Sequence, residues 1–183
     1  MRRFAGITAL VSAVLVGWTP LALVAPTSVA SAAENTATAS IPVDEFTTLE
    51  IHTTANCVKA DGQCYFTSAA NLLTPDGPTG FPPQFYARQN TTVRTSNRLV
   101  YLDSDFDAPN TRMMKSIGPV EFPTVYFEGG PPEKFVVHGN SRTTDWATGR
   151  PKLDADYIVC SYIQVVYANV NLTSPTACAQ TTY

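Results

Sequence analysis

Histidine is scarce in this 183-residue sequence, which contains only His52 and His138. A hydrolytic triad would need one of them beside a serine and an acid, and no Gly-x-Ser-x-Gly motif is present. The set His138, Ser141 and Asp145 is close together in sequence but follows no catalytic template. The zinc-hydrolase signature His-Glu-x-x-His is also absent. We therefore expect no catalytic residue, no cofactor and no metal ligand, and hence a protein that is not an enzyme.

Positively charged residues are also few, since 12 Lys and Arg stand against 15 Asp and Glu and leave a formal charge of −3 at pH 7. Beyond Arg2 and Arg3, they are scattered between Lys59 and Lys152 without forming a cluster. A nucleic-acid backbone or an anionic membrane surface is attracted by basic patches. The composition therefore excludes both as expected partners.

Only one tryptophan, Trp146, lies beyond residue 32. A glycosidase with paired carboxylates would place two acids by its fold and line a cleft with several aromatic side chains. The sequence supports this activity weakly.

The N-terminus has the order basic, apolar, small. Residues 1–3 carry two arginines, residues 4–24 carry no charge, and Ala30-Ser31-Ala32 fits the small-x-small rule for cleavage. That order predicts a secretory signal peptide over residues 1–32 and a secreted, extracellular protein without a membrane span after cleavage. The alternative is an uncleaved anchor, although glycine and proline interrupt the apolar run.

The remainder suits one domain. Residues 33–45 are mostly small and polar, which predicts a flexible spacer. Residues 46–183 are predicted to form a single β domain.

All four cysteines lie in that domain, and an even number in an oxidising compartment predicts two disulfides. Three pairings are possible. We favour Cys57–Cys64, because a four-residue turn over residues 59–62 would place these cysteines directly opposite each other in a hairpin. Cys160–Cys178 follows as the second bridge and would tether the C-terminus. The spacing of Cys57 and Cys64 matches no redox or metal motif.

The longest run of β-branched and aromatic residues is 156–172. It is apolar at both alternating sets of positions, which predicts a central strand covered on both faces. Further strands are predicted over 46–54, 91–103, 120–128 and 133–139, the third at an edge or bulge because of Pro123.

Residues 72–88 are rich in proline and glycine but also apolar, so we predict a long loop folded over the sheet, with one helical turn at 83–89. Six or seven strands without an amphipathic helix favour an all-β, antiparallel β-sandwich with long Pro/Gly-rich loops and two disulfides. A partly open β-barrel is the second choice.

Asp103, Asp105 and Asp107 have the alternating spacing of a calcium loop. The EF-hand version needs Gly at the sixth position and Glu at the twelfth, where this sequence has Ala108 and Met114. A solvated acidic turn is favoured, and cation binding stays open.

Five aromatic residues could line a binding face or pack between strands, and packing is favoured. They are Tyr126, Phe127, Tyr157, Tyr162 and Tyr167.

Three phrases resemble a group of small, uncharacterised proteins exported by actinobacteria. They are Ala-Asn-Leu-Leu-Thr-Pro-Asp-Gly-Pro-Thr-Gly-Phe-Pro (70–82), Val-Tyr-Phe-Glu-Gly-Gly-Pro-Pro (125–132) and Tyr-Ile-Val-Cys (157–160). The resemblance implies secretion, these cysteine positions and one domain, but no catalytic residues.

These observations favour a secreted binding module that contacts an extracellular or envelope partner, with residues 75–81 as the expected contact. The alternative is an exported hydrolase or an inhibitor of an extracellular enzyme. For the inhibitor, residues 79–83 would form the exposed loop.

Overall fold

The computed structural model describes residues 33–116 and 118–183, which are almost entirely β structure. The predicted signal peptide, 1–32, lies outside the described residues. The described residues contain one 3-10 turn, Pro132–Phe135, and twelve strands. The strands are β1 Ala33–Pro42, β2 Thr48–Val58, β3 Gln63–Thr74, β4 Gly77–Thr79, β5 Phe85–Arg94, β6 Val100–Asp107, β7 Met114–Lys115, β8 Val120–Tyr126, β9 Val136–Asp145, β10 Asp156–Tyr167, β11 Val170–Thr173 and β12 Ala177–Thr182.

The strands form two antiparallel sheets that pack face to face, which confirms the predicted β-sandwich. Sheet I has the order β1-β2-β3-β9-β6, and β4 also pairs with β3. Sheet II has the order β11-β10-β5-β8-β7, and β12 pairs with β10. In each long strand, alternate side chains face the other sheet, as Leu49, Ile51 and Thr53 do in β2.

The core consists of two apolar clusters with polar side chains between them. One cluster contains Leu49 and Ile163, and the other contains Phe66 and Tyr157. Between them, the buried amide of Gln89 donates to Ser68 Oγ at 2.7 Å and to the Ser68 carbonyl at 3.1 Å. Because the amide is fully buried, these bonds offset the cost of removing it from water.

The hairpin between β2 and β3 has the predicted register. Gly62 has a φ of +64°, which a glycine adopts without steric cost, and Cys57 lies opposite Cys64. Cys160 likewise lies opposite Cys178 between β10 and β12. Both predicted disulfides are confirmed. They indicate an oxidising compartment.

The predicted spacer is wrong for most of its length, because residues 33–42 form β1 and pair with β2 over ten positions. Ala37, Ala39 and Ile41 pack against the core, while the polar residues between them face outward. The strand alternates like any other, but its inward side chains are so small that its composition resembles that of a linker.

The central strand β10 is shorter and less covered than predicted. It ends at Tyr167, and Ala168 turns the chain with a φ of +46° before β11 begins. Tyr157, Val159, Ile163 and Val165 are fully buried against sheet I. The opposite face includes the exposed side chains Gln164 and Val166, because no third layer of the described residues covers it.

The structure differs from three further predictions. The strand predicted over 91–103 is divided by a turn into β5 and β6, and no helical turn occurs at 83–89. Strand β9 extends to Asp145, six residues beyond the end of the strand predicted over 133–139. Phe81 and Phe85 do enter the core, where both contact Phe135.

Pro123 lies within β8 and breaks no hydrogen bond to β5. Its carbonyl accepts from the Arg112 amide at 3.1 Å, on the side away from β5. The imide nitrogen of an extended residue points to the same side as its carbonyl, so no sheet donor is lost.

Candidate functional site

The outer face of β3, β9 and β6 carries a dense group of polar side chains, which we call the polar face. Its members project at alternate positions on the side away from the core. They are Gln63 and Tyr65 on β3, His138, Asn140 and Arg142 on β9, and Asp103, Asp105 and Asp107 on β6.

The antiparallel register arranges these residues in rungs across the three strands. Tyr65 lies opposite Asn140, which lies opposite Asp105, and Arg142 lies opposite Asp103. Directly opposed side chains on neighbouring strands have Cβ atoms about 5 Å apart. Two adjoining hollows of about 440 and 240 Å³ lie between the rungs and share Asp105 and Asn140.

Arg142 is oriented by the neighbouring strand. With the Gln63 amide oxygen toward the guanidinium, Arg142 Nε and Nη2 each donate to it at 3.0 Å, and the Gln63 amide nitrogen donates to Tyr65 Oη at 3.0 Å. A guanidinium has five N–H donors. In the described part of the chain, three of them have no hydrogen-bond partner and remain for a ligand.

At the other end of the polar face, His138 is held by β3. Its Nδ1 lies 3.1 Å from Thr67 Oγ1, and the backbone pairs it with Asp107 on β6. The ring therefore lines the smaller hollow in a defined orientation.

The polar face is acidic. It has three carboxylates on β6 and two cationic side chains, Arg142 and Lys115. The Lys115 ammonium reaches over from sheet II and lies 3.5 Å from Asp103 Oδ1 and 3.2 Å from Tyr101 Oη. The hydrogen bond to Tyr101 is the main reason that the pKa of Lys115 is raised, so this ammonium is charged at neutral pH.

Beyond Asp103, Tyr101 and Trp146 form an exposed aromatic shelf, with ring centroids 6.2 Å apart. They border a cleft of about 620 Å³ between the free edges of the two sheets. The Trp146 side chain is 71% exposed, although its backbone amide donates to the Leu99 carbonyl at 2.8 Å.

A local turn holds Trp146 in this position. Asp145 Oδ1 accepts from the backbone amides of Ala147 and Thr148, at 3.1 and 2.9 Å. The Thr148 bond contributes most to lowering the pKa of Asp145. The turn therefore presents a large apolar side chain to solvent at the end of the polar face.

The hypothetical triad is not assembled. Ser141 faces the core, where its hydroxyl lies 2.8 Å from Ser104 Oγ and 2.9 Å from Tyr157 Oη. His138 projects from the opposite face of the same strand, and Asp145 belongs to the Trp146 turn. Side chains that project from opposite faces of one strand cannot exchange a proton directly.

His52, the other histidine, belongs to a second polar network on sheet I. Its Nε2 lies 2.8 Å from Asn71 Oδ1 and 3.4 Å from Glu50 Oε2, and its Nδ1 lies 2.9 Å from Thr38 Oγ1. Asn71 also donates to Glu50 at 3.1 Å, so these groups largely satisfy one another.

Asp103, Asp105 and Asp107 occupy a strand and not the predicted turn. Side chains two residues apart on a strand repeat every 6.6 Å or so, whereas calcium ligands converge to about 2.4 Å from one ion. In residues 33–116 and 118–183, no group of three or more His, Cys, Asp or Glu could hold a metal ion.

The aromatic residues divide as follows. Tyr126 and Tyr157 are buried, as the packing interpretation predicts, and burial raises the pKa of both phenols. Tyr162 and Tyr167 are partly buried. Phe127 is 69% exposed on sheet II, with its ring centroid 6.1 Å from that of Tyr86.

The predicted inhibitory loop does not protrude. Phe81 is buried, and its backbone exchanges two hydrogen bonds of 3.0 Å with Gly130. Residues 79–83 are therefore attached to the sandwich at their centre, and Phe81 cannot contact a partner without leaving the core.

The sequence alone does not indicate the polar face. Gln63 and Tyr65 belong to the predicted hairpin, and Asn140 and Arg142 lie beyond the strand predicted over 133–139. The available signal was the continued alternation of outward polar and inward small residues from Val136 to Asp145.

Comparison of the sequence with models of known protein families and with curated proteins finds no match. In the residues that the structure describes, no helix has the length and hydrophobicity needed to cross a membrane.

Proposed function

We propose that this chain is an exported, non-enzymatic binding module whose ligand occupies the polar face. The observation that carries this proposal is the set of rungs formed by Gln63, Arg142 and Asp103 and by Tyr65, Asn140 and Asp105. Hydrogen-bond donors and acceptors lie next to each other on a rigid sheet, and three N–H groups of Arg142 are available to a ligand. Such preorganised groups bind a polar ligand at a low entropic cost.

The proposal of binding without catalysis is supported by the position of the reactive groups. Ser141 is buried in the core, and the side chain of Asp103 is 67% exposed. A general acid needs an environment that keeps its carboxyl group protonated near neutral pH, usually through burial. Export from an actinobacterium and association with the cell envelope belong to the same proposal, and the N-terminal sequence and the phrases in 70–82 and 125–132 support them.

A sedimentation assay tests this function. Protein purified from the full-length sequence is mixed with deproteinised actinobacterial cell walls, and the protein remaining in the supernatant is measured. We expect the parent protein to sediment and an Asp105→Ala/Arg142→Ala variant to remain in solution. The matched control is Arg88→Ala/Gln164→Ala, which removes two exposed polar side chains from the outer face of sheet II.

Equal sedimentation of the two variants would show that the polar face is not the binding site. Failure of the parent protein to sediment would contradict an envelope role. Release of soluble sugar or peptide from the walls by the parent protein would favour the hydrolase alternative.

A further inference from the structure

We propose that the ligand is a neutral oligosaccharide, bound along a strip that runs from the aromatic shelf across the polar face. This inference rests on the proposed function and names the chemical class of its ligand. The strip follows β6 from Tyr101 to Asp107, with Trp146 at one end and His138 at the other.

The first argument is the match between hydroxyl groups and the side chains of the polar face. A sugar hydroxyl donates one hydrogen bond and accepts others. Arg142 offers charged donors directly opposite the acceptor carboxylate of Asp103, and Asn140 stands opposite Asp105 in the same way. A hydroxyl group between such a pair can accept from one strand and donate to the next, and bonds to ionised groups are the stronger kind.

The second argument is the aromatic shelf. One face of a pyranose ring consists mainly of C–H groups, which pack on the electron-rich face of an aromatic ring. The exposed ring of Trp146 and the neighbouring Tyr101 provide such a surface next to Asp103. A sugar unit on the shelf therefore places its hydroxyl groups within reach of the polar face.

Charge and shape argue against other ligands. Asp103, Asp105 and Asp107 outnumber the two cations, Arg142 and Lys115, so a phosphate or polyanion would be repelled. An added peptide strand is disfavoured because charged side chains along an edge strand oppose such pairing. A lipid chain does not fit the larger hollow, which is lined by carboxylate, amide and guanidinium groups.

The length of the strip indicates an oligosaccharide and not a single sugar. Six residue steps at about 3.3 Å each separate Tyr101 from Asp107, so the strip is about 20 Å long. The two hollows and the cleft beside Trp146 follow one another along this line.

The fluorescence of Trp146 can be used to measure sugar binding. In the full-length chain with Trp18→Phe, Trp146 is the only tryptophan. We would titrate this protein with neutral tetra- to hexasaccharides built from glucose, galactose, mannose, arabinose or N-acetylglucosamine, and with a uronic acid series for comparison. If the Kd is about 1 mM, a titration that reaches about 10 mM sugar nearly saturates the binding site.

We expect a saturable change in Trp146 fluorescence with at least one neutral series, and a higher affinity for longer chains. Calorimetry should show at least tenfold weaker binding for Arg142→Ala and for Trp146→Ala, because each removes a main contact. Arg88→Ala should bind like the parent. All three side chains are exposed, and unchanged thermal unfolding would show that the variants are folded.

No binding of any neutral series, preferential binding of the uronic acid series, or binding unaffected by both Arg142→Ala and Trp146→Ala would overturn the inference. If sedimentation with cell walls still depended on Arg142 in that case, the binding function would stand and only the ligand class would be wrong. If sedimentation were independent of Arg142 as well, both proposals would fail.

Discussion

Replacing Cys160 and Cys178 by serine should destabilise the sandwich without changing its folded structure. Cys178 is exposed and Cys160 is half-buried on the outer face of sheet II, so the substitution leaves the core intact. Strand β12 would stay paired with β10, because Ala177, Ala179 and Thr181 remain buried against the core. The loss is therefore expected in the unfolded state, which the bridge no longer constrains.

The magnitude follows from the length of the closed loop. The two cysteines are 18 residues apart, and the chain-entropy relation converts this separation into about 3.2 kcal/mol at 25 °C. For a domain of this size, a loss of about 3 kcal/mol lowers Tm by roughly 6–13 °C. Urea unfolding should also give a larger m value, because the unfolded chain exposes more surface without the bridge.

The measurement is urea unfolding of the parent and of Cys160→Ser/Cys178→Ser, followed by circular dichroism. Cys57→Ala/Cys64→Ala is the comparison, because its bridge spans only seven residues and is fully buried. We expect that variant to lose about 2.5 kcal/mol through entropy and more through lost packing. A loss below about 1 kcal/mol for Cys160→Ser/Cys178→Ser, with m unchanged, would show that this bridge does not constrain the unfolded chain.

Three further predictions concern the stability of the sandwich. Gly129→Ala should cost about 3 kcal/mol in urea unfolding, because an added Cβ would lie 1.8 Å from the Pro82 carbonyl oxygen; an unchanged midpoint would contradict this close approach. Gln89→Leu should cost about 3 kcal/mol by leaving its buried partners unpaired, and a neutral result would mean that water replaces the amide. Burial raises the folded-state pKa of Tyr126 and Tyr157, so the folded protein holds protons that the unfolded chain releases, and stability should fall as pH rises above 10. The contribution of this pair to the slope should approach about 2.7 kcal/mol per pH unit well above pH 10, and Tyr157→Phe should lower the measured slope by about half of that amount in unfolding measured from pH 9 to 11.5.

Local sequence patterns predicted the parts of the fold that depend on near neighbours. The spacing of Cys57 and Cys64 around Gly62 was sufficient for the turn, the register and the bridge. The alternation of Leu49 and Ile51 with polar residues likewise predicted β2. These features form within a few residues of chain, so their geometry can be read from spacing alone.

Sequence patterns gave wrong predictions where the composition of a segment did not match its position in the sheet. β1 resembles a linker in composition, yet its backbone pairs along the whole of β2. The acidic residues of β6 resemble a turn, yet an edge strand tolerates outward charges well. In both segments, hydrogen bonding to a neighbouring strand outweighs the preference of the individual residues.

The candidate site depends on long-range pairing. The all-β class, the favoured pairing of the cysteines and the lack of a recognisable catalytic motif follow from residue types and short spacings in the sequence. Tyr65, Asp105 and Asn140 share one rung because β9 inserts between β3 and β6 and joins segments far apart in the chain, which no local pattern predicts. Pairing of this kind is selected by the packing of the two sheets around a common core, and not by any local preference of the strands that meet.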